Sequence, residues 1–174
     1  MAFNHHADLN PHQQYRIKKL KRELNRAETY AEWKEIALSL DQETGAQEWK
    51  YDNSSPYFDA EIISHRLNML RRYKLKNRVV DLIYILREGL SHDVANIGHP
   101  MLFTQTYMGT KKIIEDYIHE VCESLIFIAS QKCDSLSIKE KIDFFQNCQL
   151  AYGQPAMMFS GGASLGLFHT GVCK

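Results

Sequence analysis

The residues best suited to chemistry lie near the end of the chain, where Ser160-Gly161-Gly162-Ala163-Ser164-Leu165-Gly166 follows the apolar run Ala156-Met157-Met158-Phe159. A short apolar run, paired glycines and a helix-like segment in that order predict strand, tight turn and helix. Glycine allows positive φ and lets another atom approach the peptide N–H groups closely. At a helix N-terminus those unpaired donors favour an anion or a developing oxyanion.

Three chemistries fit such a turn. A phosphate or dinucleotide turn would need G-x-G-x-x-G or a Walker lysine, whereas here the glycines run G-G-x-x-x-G. A nucleophile elbow is formally present, since Gly162-Ala163-Ser164-Leu165-Gly166 matches G-x-S-x-G, but a serine is inert until a base stands within hydrogen-bond reach. An oxyanion hole needs only the N–H groups of Gly161, Gly162 and Ala163 aimed at a carbonyl oxygen as it becomes tetrahedral. A turn that merely joins strand to helix has the same glycines.

Around this stretch the chain must supply positioning elements, and its 174 residues suffice for one domain with a core. The formal net charge is zero, which argues against a nucleic-acid binder that works by bulk electrostatics. No apolar run is long enough to span a membrane, and the polar N-terminus has no signal-peptide core. Cys122, Cys133, Cys148 and Cys173 include no C-x-x-C pair and read as reduced, mostly buried thiols, which fits a cytosolic face.

In order, residues 1–14 read as a polar tail with His5, His6 and His12, lacking the ligand set of a metal site. Tyr15 to Arg26 is a basic amphipathic helix, with Ile17, Leu20 and Leu24 among Arg16, Lys18, Lys19, Lys21 and Arg22. Such a helix can lie on an anionic lipid surface or dock its apolar stripe on its own domain. Thr29 and Glu32 form a capping box for a helix that ends near Gly45, with Trp33 and Trp49 as core anchors.

Ser55-Pro56 reads as the start of a helix that turns Ile62, Ile63, Leu67 and Leu70 inward and ends in a basic run complementing the dipole. A further helix spans about Arg78 to Leu90, with Val79, Leu82, Ile83 and Leu86 inward. Ser91 to Met108 is the longest irregular stretch, able to serve as a connector or to line the mouth of a site. Thr110 then caps a long central helix to about Ser130, whose wide apolar stripe is Ile113, Ile114, Tyr117, Ile118, Val121, Leu125, Ile126 and Ile128 and on which Glu115 and His119 lie one turn apart. Ser137 and Glu140 open a last helix carrying Ile138, Ile142, Phe145 and Cys148, and Gly153 and Pro155 end it.

The glycine stretch, read on through Leu167-Phe168-His169, Gly171-Val172 and Lys174, resembles the opening of the patatin-like domain of storage-lipid triacylglycerol lipases. Upstream, Trp33, Ala37, Leu40-Asp41, Gly45, Trp49, Arg66-Leu67, Leu86-Arg87, Gly109-Thr110-Lys111 and Ile114-Glu115-x-Tyr117 resemble the helical domain that precedes it. The resemblance covers roughly residues 30 to 174 and implies a mainly α fold followed by the first strand-turn-helix of an α/β domain. The expected division is residues 1–27 as tail and basic helix, 28–153 as helical domain, and 154–174 as an incomplete patatin-like domain.

The resemblance further implies a serine-aspartate lipase acting on glycerolipid esters without metal or cofactor, peripheral on a membrane or lipid droplet. In that family the first glycine turn is the oxyanion hole, so Gly161, Gly162 and Ala163 would hold that role, with Gly166 letting the helix pack closely. Ser164 would then not be the nucleophile. The catalytic serine and aspartate are expected outside this chain; separately, the strand at Ala156–Phe159 finds no partner strand here, so either the chain is a fragment or this end is frayed. The alternative is a non-catalytic helical module that binds lipid surfaces or a partner through Arg16, Lys18, Lys19, Lys21 and Arg22.

Overall fold

The computed structural model describes residues 10–90, 93–130 and 136–152. Among them the elements are α1 (Pro11–Leu24), α2 (Tyr30–Glu43), α3 (Ala46–Tyr51), α4 (Ala60–Leu75), α5 (Val79–Glu88), α6 (Lys112–Ser130) and α7 (Ile138–Tyr152), with 3₁₀ turns at Val94–Asn96 and Pro100–Phe103. The described residues contain no strand, in keeping with the mainly α expectation. The strand, turn and helix expected at 154–174 lie outside the described residues.

Local capping chemistry sets most of the helix ends. α1 starts four residues ahead of Tyr15 because Asn10 accepts from Gln13 N at 2.8 Å while the Gln13 side chain accepts from Asn10 N at 3.2 Å. Pro11 then takes the first helical position, where its missing N–H costs nothing. Residues 11–14, His12 included, are therefore helix rather than tail. Thr29 caps α2 as expected, accepting from Glu32 N at 3.3 Å, although the Glu32 carboxylate turns back to Glu28 N at 3.1 Å.

The start of α4 differs from the sequence expectation. Ser55 Oγ accepts from Tyr57 N at 3.2 Å and so closes a turn, while Asp59, accepting from Ile62 N at 3.0 Å, is the true cap. Asp59 N in turn donates to the Ala95 carbonyl, which pins the connector to this helix end. At α7 the capping box forms fully: Ser137 N and Oγ both donate to Glu140 Oε2, and Glu140 N returns to Ser137 Oγ at 3.2 Å. These bonds hold the Glu140 carboxyl below the ordinary carboxylate range.

Packing is organised on α4 and α6, which lie against each other with α5 beside both. The core takes Ile63, Leu67 and Leu70 from α4, Leu82, Ile83 and Leu86 from α5, and Ile114, Tyr117 and Ile128 from α6. Leu102, from the second 3₁₀ turn, and Phe144 and Cys148, from α7, complete it. Truncating one such side chain to alanine typically costs about 2–5 kcal/mol.

Five apolar residues assigned to inward stripes face solvent instead: Ile62, Ile118, Ile126, Ile138 and Ile142. On α7 the buried pair is Phe144 and Cys148, one turn apart, which turns the face carrying Ile138 and Ile142 outward. On α6, Glu120 and Ser124 occupy buried positions that the apolar pattern did not suggest. Trp33 is half-buried and stacks on Tyr30 with ring centroids 6.2 Å apart, so it is less of a core anchor than expected.

Candidate functional site

The glycine turn, with Gly161, Gly162, Ala163, Ser164 and Gly166, lies outside the described residues. What the structure brings together is a second constellation, built from residues of the upstream resemblance. Its centre is Lys111, a lysine with no solvent exposure, just ahead of α6. Its ammonium donates to the carbonyls of Trp49 at 2.7 Å and Asp52 at 2.6 Å, approaches Ser54 O at 3.5 Å, and sits 4.1 Å from the centre of the Trp49 ring.

Those carbonyls belong to the end of α3 and the segment after it, which a helix terminus leaves without intrahelical donors. A single ammonium satisfies several of them and gains a cation–π contact, Trp being the best ring for it. Burial pushes the Lys111 pKa below its ordinary value, and the nearby Asp52 carboxylate opposes that shift. With its protons committed to backbone acceptors, Lys111 acts as a tie and has no free lone pair for covalent chemistry.

Asp41 provides the second tie. Fully buried at the end of α2, its two oxygens accept from Tyr107 N at 2.7 Å and Met108 N at 3.0 Å, and Lys50 Nζ lies 3.9 Å away. Lys50 also reaches Glu115 at 3.9 Å, and Glu115 Oε1 accepts from Thr110 N at 3.0 Å. Thr110 Oγ1 donates to Leu102 O at 2.6 Å, so its hydroxyl holds the connector and does not cap α6 as the sequence suggested. Gly109 has φ +71°, and a side chain there would run into the Glu115 carboxylate.

The connector after α5 is thus fastened at several points: at Asp41 through Tyr107 and Met108, at α6 through Thr110, and at Tyr57 O, which accepts from Asn96 Nδ2 at 2.6 Å. Glu115 is spent on these contacts and on Lys112, while His119 is exposed. Lys112 also bonds Asp116 at 2.8 Å, which raises its pKa. Among the described residues no three potential ligands converge on a metal position.

Other residues of the resemblance have structural partners too. Arg66 Nη2 donates to Ile85 O at 2.9 Å, capping the C-terminal turn of α5, and Gly89 leaves room for it. Sequence reasoning missed Lys50, Asn10 and Glu120, none of which stands out by spacing. Glu120, almost buried on α6, pairs with Lys74 at 2.6 Å and Arg71 at 3.4 Å across to α4.

The basic helix α1 is resolved as a docked element. Ile17 is buried, Leu20 and Leu24 are half-buried, and α1 packs on α2. Arg16 pairs with Glu43 at 2.6 Å and Lys19 with Glu23 at 3.7 Å, while Lys18, Lys21 and Arg22 are exposed without an ion pair among the described residues. Its apolar stripe is therefore used inside the domain. Cys148 is buried and its thiol is pushed up by burial, Cys122 is exposed, and Cys133 and Cys173 lie outside the described residues.

A mainly α module closed by an internal lysine and aspartate tie is the class that fold and site define. The chain belongs to the family described as Domain of unknown function (DUF3336), whose model matches residues 11–150. It is 34% identical over 146 residues to Triacylglycerol lipase ptl1 of Schizosaccharomyces pombe, covering 84% of this chain and 26% of that protein. Against Triacylglycerol lipase SDP1L of Arabidopsis thaliana it is 34% identical over 160 residues, covering 92% of this chain and 19% of the relative.

A patatin-like phospholipase domain-containing protein of Cryptococcus neoformans, CNBE2340, is 33% identical over 156 residues, covering 90% of this chain and 18% of the relative. The chain thus spans about a quarter or less of the length of these three curated relatives. No solved structure matches it. The family resemblance read from the sequence is borne out by these comparisons.

Proposed function

We propose that this chain is the N-terminal helical part of a patatin-like serine lipase that hydrolyses triacylglycerol or related glycerolipid esters. The observation that carries the reading is the family match over residues 11–150 together with relatives named as triacylglycerol lipases. In this reading residues 28–153 form the helical domain and 154–174 begin the patatin-like domain. The N–H groups of Gly161, Gly162 and Ala163 stabilise the oxyanion, Gly166 permits close packing, and Ser164 is not the nucleophile. The serine and aspartate of the reaction lie outside this chain, and no metal or cofactor is called for.

The test is a chimera in which this chain replaces the corresponding N-terminal part of the Schizosaccharomyces pombe lipase ptl1, assayed on emulsified trioleoylglycerol. Gly162→Pro, which removes one donor and its backbone freedom, is expected to lower turnover by about 10²–10³-fold with helix content unchanged. Wild-type turnover in that variant overturns the oxyanion assignment. The 174-residue chain alone is expected to be inactive, and activity abolished by Ser164→Ala would make Ser164 the nucleophile.

A second reading, a non-catalytic module on a lipid surface or partner, draws on the exposed Lys18, Lys21 and Arg22. Peripheral attachment to the cytoplasmic side of a membrane or to a lipid droplet belongs to both readings. No helix among the described residues is long and apolar enough to cross a membrane.

A further inference from the structure

Insertion at a lipid interface needs aliphatic side chains already in water and cations beside them. Helix α1 has the cations, but its aliphatic stripe is turned onto α2. Both requirements meet elsewhere, at the C-terminal ends of α4 and α6. Leu75, the last residue of α4, is 88% exposed, and Ile126 of α6 is 62% exposed. The two line one groove of about 690 Å³ together with Phe127, Arg71, Lys74 and Glu123.

The charges are placed for this use. Glu120, behind the groove, holds Lys74 at 2.6 Å and Arg71 at 3.4 Å, so these two cations are fixed at its edge. Arg72 and Lys76, on either side of Leu75, are exposed and have no ion pair among the described residues. Arg78 is paired with Asp81 at 2.7 Å and contributes less. Glu120 and Glu123 are the opposing carboxylates, and the four cations Arg71, Arg72, Lys74 and Lys76 outnumber them.

We propose that this end of the α4–α6 pair is a docking surface for anionic phospholipid. Leu75 and Ile126 enter the headgroup boundary, and Arg72 and Lys76 meet lipid phosphates, with Arg71 and Lys74 held beside them by Glu120. The assignment moves the lipid-facing surface away from α1, where sequence alone put it. It goes beyond ester hydrolysis and stands without it, because binding to a vesicle requires no turnover.

The experiment is flotation of the 174-residue chain with phosphatidylcholine vesicles, with and without about 30 mol% phosphatidylserine. Binding is expected only with the anionic vesicles and should fall when salt is raised to about 0.5 M. Leu75→Ser with Ile126→Ser, and separately Arg72→Glu with Lys76→Glu, should each lower the floated fraction about five-fold or more. A triple Lys18→Glu, Lys21→Glu, Arg22→Glu variant should change it less than two-fold. All these positions are exposed, so circular dichroism should match wild type. An unchanged fraction in both α4–α6 variants, no flotation of the wild type, or a loss confined to the α1 triple variant overturns the proposal.

Discussion

Two groups of cations in this chain have opposite fates. Lys111 is sealed from solvent and answers three backbone carbonyls, whereas Lys18, Lys21 and Arg22 on α1 answer none among the described residues. The residue types are similar, and what separates them is where the nearest unpaired acceptors lie. A helix end that turns its carbonyls inward needs an internal donor, because a buried acceptor left unmade costs about 1–3 kcal/mol. A helix that turns a basic face to water places no such demand on its lysines. Charge in a sequence therefore says little about role until burial is known.

The sharpest way to break this comparison is Lys111→Met, which keeps the unbranched stem of the side chain but strands its carbonyl partners. It is expected to destabilise the domain by about 3–5 kcal/mol, since each buried acceptor it strands costs about 1–3 kcal/mol. Urea unfolding followed by circular dichroism would read it, and a loss under about 1 kcal/mol would show that the tie matters little.

An intermediate effect is expected at the entry to α7. Ser137→Ala removes the acceptor for Glu140 N and should cost about 1 kcal/mol. The same contact carries a pH dependence. Because the folded-state pKa of Glu140 is lowered from 4.5, its contribution is complete above 4.5 and is lost as pH falls through the lower folded value. In Ser137→Ala this part of the acid slope should flatten, which stability measurements on both proteins across the acidic range would check.

The smallest effect belongs to the outward cations. Lys18→Glu, Lys21→Glu and Arg22→Glu should each change the unfolding free energy by no more than about 0.5 kcal/mol, as exposed substitutions do. A larger loss would mean that α1 is held by its charges as well as by Ile17.

The comparison also explains what the sequence made legible. Helix starts were readable where cap and partner lie three residues apart, as at Thr29 with Glu32 and Ser137 with Glu140. One was misread: Ser55-Pro56 looked like the start of α4, whereas Ser55 closes a turn and Asp59, whose N–H is joined to Ala95 O, is the cap. The resemblance named Asp41, Trp49, Gly109, Thr110 and Lys111 together, yet their roles stayed hidden, since the hydrogen bonds joining Lys111 and Asp41 to their partners span 57 to 67 residues of chain. Lys50 gave no signal at all, because a lysine near a helix end is ordinary until Asp41 and Glu115 are seen on either side of it.

That separation has a consequence for the order in which the chain assembles. The α1–α2 hairpin closes a five-residue connection, and its contacts come early by the logic of loop entropy. The Lys111 and Asp41 ties close loops of 57 to 67 residues, and the greater entropy cost favours their forming later. Interactions that form after the transition state leave the folding rate alone and slow unfolding. On that order the buried lysine is a latch on the finished domain, and Lys111→Met is expected to speed unfolding more than it slows folding.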